Sequence, residues 1–267
     1  MKSNCFIRCC LIISLGLILG FSCSKEDAEN QNDITYGTVK DIDGNVYKTI
    51  TIDFSSGGSA GLKSTSATTQ TWMVENLKTK RYSNGDLIET TTSTTLYTDN
   101  ASDPEIFYQY QWAYAGNESI ADTYGRLYTW MTVMDSRNVC PEGWHVPTKA
   151  EWSQLAEYLG GKFVDDHEGH GYWSAVGGKL KEAGTTHWES PNTGAKNTIG
   201  FTALPGGYSF SGSNFSHISK HGEWWSSTED LNRWYRWAWT YTLGSQTAQL
   251  WVNTRRLNSG LSVRCIK

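Results

Sequence analysis

The chain has 267 residues and a formal charge of −4, with 19% charged residues and no run of Lys or Arg. It lacks the basic footprint of a nucleic-acid binder, which argues against that partner class. Few charges beside 13 Trp, 14 Tyr and 26 Gly point instead to a loop-rich, strand-containing extracellular domain.

Residues 1–22 read as an export signal. Lys2 and Arg8 give a positive start, and residues 11–19 form an apolar run too short for a membrane span. Gly20-Phe21-Ser22-Cys23 resembles a lipobox with a bulky Phe21, which makes Cys23 the acylated first residue. The following Ser24-Lys25-Glu26-Asp27 resembles the acidic surface-export signal of Bacteroidetes lipoproteins. The expected location is the outer membrane, facing outward, with membrane contact through the lipid anchor only. Of the 6 cysteines, Cys5, Cys9 and Cys10 leave with the signal and Cys23 carries lipid. Cys140 and Cys265 remain, and in an oxidising compartment they are expected to pair. In the chain-entropy model a loop this long is worth about 5 kcal/mol.

Residues 23–34 read as an acylated tether. Residues 36–40 and 46–53 alternate around Asp43-Gly44-Asn45, the pattern of a β-hairpin. The same turn has the start of a calcium loop but lacks its distal acids, so the turn reading is preferred. Residues 54–69, rich in Ser, Gly and Thr, complete an N-terminal unit over 35–69 as a flexible insertion. The main domain is expected over 70–267. In it, Leu127, Trp130, Met131 and Met134 fit one helical face and predict a first helix. Thr148 and Glu151 form a capping box for a second helix, with Trp152, Leu155, Ala156 and Leu159 as its apolar stripe and Gly160-Gly161 as its stop. Residues 175–183 suggest a short third helix. Runs at 201–204, 223–227, 233–243, 246–253 and 261–266 read as the strands of a core sheet, giving an α+β domain.

The strings at 41–47, 72–77, 124–130, 140–152, 177–181, 200–207, 224–228 and 262–265 follow one another along residues 36–267. Together they resemble the Fibrobacter succinogenes major paralogous domain. That family is in turn similar to the formylglycine-generating-enzyme branch of C-type-lectin-like folds. The resemblance implies two main helices, small twisted antiparallel sheets and long loops, closed by Cys140–Cys265. Formylglycine-generating chemistry uses a pair of active-site cysteines to hold copper. Here both mature cysteines are assigned to the bridge, so that oxidase activity is not expected.

Candidate site residues are few. Asp165, Asp166, His167, Glu168 and His170 lie close in sequence, a carboxylate and imidazole set that suits zinc or a harder ion. A solvated charged loop between glycines is the preferred reading. Glu189-Ser-Pro-Asn192 resembles a calcium-lectin Glu-Pro-Asn loop with an intruding serine. No cofactor is expected, with calcium left open. The aromatics carry the remaining signal. Trp173, Trp188 and Tyr208 lie in Gly-rich loops, and residues 234–241 read as a strand whose outer face carries Trp234 and Arg236. These five are the expected ligand contacts, since aromatic faces stack on sugars and peptides. The expected function is non-catalytic recognition or adhesion, with a glycan or a surface protein as partner. The alternatives are an altered enzyme on the formylglycine-generating scaffold and an envelope or fimbrial-type subunit with an exposed strand edge.

Overall fold

A computed structural model describes residues 34–55, 69–92, 109–210, 212, 214–232 and 236–267. The signal peptide, Cys23, nearly all of the tether, most of the 54–69 insertion, and Trp234 lie outside the described residues.

The chain begins with the expected hairpin. Strands β1 (Ile34–Lys40) and β2 (Val46–Asp53) pair antiparallel, with Lys40 opposite Val46 and Ile34 opposite Ile52. The Asp41 carboxylate closes the turn, accepting from the Asn45 amide at 2.9 Å and the Tyr47 hydroxyl at 2.6 Å. Asp43 accepts from the Thr79 hydroxyl and the Lys80 amide. Both acids of the turn thus serve protein donors. Strand β3 (Thr69–Met73) joins β2 to complete a three-stranded sheet.

The main body departs from the α+β, C-type-lectin-like expectation of two helices over small antiparallel sheets. It is a single eight-stranded mixed sheet in the order β4-β5-β13-β10-β11-β12-β7-β6. These strands are β4 (Gln111–Trp112), β5 (Leu127–Tyr128), β6 (Phe163–His167), β7 (His170–Trp173), β10 (His221–Asp230), β11 (Trp237–Gly244), β12 (Leu250–Arg256) and β13 (Leu261–Ser262). The short β8 (Tyr208–Ser209) and β9 (Phe215–Ser216) form a separate pair. Strands β10 and β13 run parallel; the other ladders are antiparallel. The helices are α1 (Glu118–Tyr124), α2 (Trp130–Val133), α3 (Lys149–Tyr158) and α4 (Val176–Leu180). Among the described residues only α3, with 10 residues, exceeds two turns.

The predicted first helix is the clearest error, and its cause is local. Leu127 sits in β5, opposite Trp112 on one side and Ser262 on the other. Trp130 opens a helix of one turn, and Met134 is exposed at its end. Apolar residues at helical spacing here belong to a strand and a one-turn helical fragment, with Leu127 and Trp130 buried and Met134 left exposed.

The second helix forms as read. The Thr148 hydroxyl accepts from the Glu151 amide at 3.2 Å, and the Glu151 carboxylate accepts from the Thr148 amide at 2.7 Å. His145 joins the cap, with Nε2 2.8 Å from the other Glu151 oxygen. Trp152, Leu155 and Ala156 are buried against the sheet, and Trp152 stacks on Tyr241 at 4.8 Å.

The large sheet separates two apolar clusters. One face presents Trp224, Trp239, Tyr241, Leu243, Leu250, Val252 and Trp173 to α3, α4 and the three-stranded sheet. The other presents Trp225 and Ala238 to Trp130, Tyr128, Val263 and Leu257. Burial on both faces is seen where Trp224 and Trp225, adjacent in sequence, point into the two different clusters. The Cys140–Cys265 disulfide is present, and its partners are 125 residues apart in sequence. Beside it, Met73 donates to the Cys265 carbonyl, while Thr71 and Lys267 exchange backbone hydrogen bonds.

Candidate functional site

The residues singled out in the sequence do not converge. Trp188 is 1% exposed, with its indole N–H donating to the Ala203 carbonyl at 2.9 Å. Trp173 is buried in the cluster beneath α3. Both are core side chains with no face left for a ligand. Glycine-rich sequence suggests loops for both, but Trp173 ends strand β7, paired with Leu250. Tyr208 is buried too, stacked on the exposed His217 at 5.2 Å. Arg236 forms a two-pronged pair with Glu229 at 2.7 and 3.1 Å across the irregular end of the β10–β11 hairpin. That hydrogen-bonded carboxylate raises the Arg236 pKa.

The acidic loop is a second hairpin rather than a cluster. Asp165 pairs in register with Gly171 and its carboxylate accepts from the Gly169 amide. His167 lies 3.6 Å from Glu168, while His170 turns away to pack on Trp239 at 4.9 Å. Among the described residues no group of three His, Cys, Asp or Glu side chains is placed to share an ion. Elsewhere, His187 donates to or accepts from Glu182 at 2.8 Å, a pair half-buried beside Tyr124.

A different set of residues does come together, on the second face of the large sheet. Glu223, Thr242, Trp251 and Tyr172 are consecutive cross-strand partners on β10, β11, β12 and β7. In the neighbouring row Trp225, Thr240 and Asn253 stand side by side. Residues two apart on a strand share a face, so Arg255, Asn253 and Trp251 project together. The Glu223 carboxylate is fully buried. It accepts from Arg255 Nε at 2.7 Å, Arg255 Nη2 at 3.0 Å and Thr240 Oγ1 at 3.2 Å. Arg255 also lies over the Tyr208 ring at 5.0 Å. Burial alone would lower the Arg255 pKa, and the Glu223 carboxylate outweighs it and raises the pKa.

Around this pair lie His221 and His217, stacked at 4.6 Å. Gly244, directly opposite His221, leaves room for the imidazole. Burial first, then the neighbouring His217, lowers the His221 pKa below the ordinary histidine value. At the far end, the Tyr172 and Trp251 rings lie 5.0 Å apart, partly exposed. The carboxylate of the cluster is saturated by protein donors. Its aromatic end is open.

Glu223, Trp251 and Asn253 fall within runs read as strands, and Tyr172 and Arg255 just outside any such run; none of the five stands out in the sequence. The signal available was the alternation in 250–256, where Trp251, Asn253 and Arg255 share one side and Leu250, Val252 and Thr254 the other.

Fold and site define a disulfide-closed domain built on one mixed sheet, with an aromatic and polar patch on an open corner. The family model of the Fibrobacter succinogenes major domain matches residues 66–267, and the chain belongs to this family. The match begins after the β1–β2 hairpin, so the 41–47 string falls outside it. No curated protein and no solved structure matches the chain.

Proposed function

We propose that this chain is a non-catalytic recognition lipoprotein, anchored through Cys23 in the outer membrane, facing outward, and binding a glycan or a surface protein. The observation that carries the reading is the open corner of the sheet. It carries partly exposed aromatic rings in the same cross-strand row as a buried carboxylate that protein donors already occupy. A general acid or base needs a carboxylate within reach of a substrate proton, and Glu223 is committed to Arg255 and Thr240. Aromatic surface with convergent polar groups is the usual make-up of a binding site. The anchor rests on the sequence at 20–23.

The test uses bacterial cells carrying the full-length protein, applied to a glycan array and to an array of surface proteins. Binding above that of cells without the protein is expected, and Cys23→Ala should abolish it by releasing the protein from the cell. Equal retention by cells with and without the protein would refute the reading.

A further inference from the structure

Most tryptophans here are interior, and several of their N–H groups are satisfied within the protein, those of the buried Trp152 and Trp173 excepted. Trp72 donates to Gln70, Trp130 to the Ser226 carbonyl, Trp224 to Asn76 and Trp225 to the Tyr128 carbonyl. Trp251 differs in being only partly buried, so that its indole N–H, which has no protein partner among the described residues, is open to solvent. The same holds for the Tyr172 hydroxyl beside it and the Asn253 amide one row away. Arg255 uses Nε and Nη2 on Glu223, leaving Nη1 as a further donor. Val164, opposite Tyr172 and in the same row, is 42% exposed, so this corner is uncovered.

The row is long enough for an extended ligand. Four strands at about 4.8 Å spacing put Tyr172 roughly 14 Å from Glu223. Its aromatic end is flanked along β12: beside Tyr172 and Trp251 stand hydrogen-bonding groups at Asn253, one row away, and Arg255, two rows away. The apolar C–H faces of a sugar ring pack on aromatic rings, and its equatorial hydroxyls need both donors and acceptors at the rim. The cations nearest the buried end of the row are paired. Arg255 is neutralised by Glu223, the one cation adjacent to His217 and His221 in sequence, Lys220, pairs with Glu189 at 3.4 Å, and His221 sits beside Gly244. A carboxylated or sulfated sugar would find no free cation in the row, and its charge would be desolvated without return.

We propose that this corner is a saccharide site for neutral sugars, with ring faces stacked on Tyr172 and Trp251 and hydroxyls bonded by Asn253 and Arg255 Nη1. The proposal rests on the recognition reading above and specifies its ligand class and its residues.

The test is titration of the purified full-length protein with neutral tetrasaccharides built on glucose, galactose, mannose and xylose, and with uronic-acid oligosaccharides of equal length. At least one neutral series is expected to bind, and the uronic-acid series to bind more weakly. Trp251→Ala should lower affinity about tenfold, the weight of one aromatic stacking partner. Trp251→Phe keeps a ring and should retain most of it, and Asn253→Ala should weaken binding while leaving thermal stability unchanged. These last two remain informative if Trp251→Ala fails to fold. Neutral binding that survives all three substitutions would overturn the site while leaving the recognition reading intact. Preference for the uronic-acid series, or binding of a protein partner with no saccharide bound, would overturn the ligand class.

Discussion

Lys181 shows how one side chain holds several loops. It is completely buried, and its ammonium donates to the carbonyls of Thr193, Gly244 and Thr247 at 3.0, 3.0 and 2.9 Å. Three N–H bonds meet three acceptors, and the charge also lies 5.3 Å above the Trp188 ring. Lys181→Met would strand those carbonyls, each unpaired buried group costing roughly 1–3 kcal/mol, so a loss of about 3 kcal/mol or more is expected in urea denaturation. Burial also pulls the Lys181 pKa down to about 8, from 10.5. Between those values the unfolded chain binds the extra proton, so stability should rise with pH across the window, and the variant should lack that rise. Nothing in the sequence around Lys181 distinguishes it from a solvated lysine. Its acceptors come from segments up to 66 residues away, and only the folded loops bring them together.

At the scale of elements, α3 was legible because its start is written in adjacent residues. Thr148 and Glu151 satisfy each other's amides without help from the rest of the fold. Thr148→Ala should cost about 1 kcal/mol, read by chemical denaturation. The cap also carries a pH signature. Burial alone would raise the Glu151 pKa, but the hydrogen bonds from His145 and Thr148 outweigh it and hold the carboxyl below its usual range. The Glu151 hydrogen bond raises the His145 pKa. The contribution of Glu151 is therefore present above the ordinary carboxyl pKa and lost as pH falls through its lowered value. That of His145 is present below the ordinary histidine pKa and lost as pH rises through its raised value. The pair should be strongest between these limits, and His145→Ala should remove the alkaline loss and shrink the acid one. Leu127 and Trp130 show the opposite case. Their spacing was helical, yet Leu127 is held by β4 and β13, strands of two residues each. Strands that short carry no period of their own, so their neighbours in space decide their state.

For the whole molecule, pairing of Cys140 with Cys265 was legible from the number of cysteines left after export, while the sheet joining them was not. The order β5-β13-β10 places segments far apart in sequence side by side, and the Glu223–Thr242–Trp251–Tyr172 row exists only once register is set across four strands. Reducing the disulfide, worth about 5 kcal/mol in the chain-entropy model, should lower Tm by roughly 10–20 °C in thermal denaturation. Cys265→Ser should lower it equally, with no further drop on adding reductant. The position of β13 has a further consequence for how the chain is made. Synthesis runs from the amino end, and β13 joins the β4–β5 edge to β10 in the interior of the sheet. Until residues 261–262 emerge, both halves hold unpaired strand edges, and one of the two ladders that close them, β13 with β5, links segments more than a hundred residues apart. The nascent chain is thus a slow folder that completes its sheet only after translation has passed its last strand, and in that interval its open edges are the part a chaperone must shield.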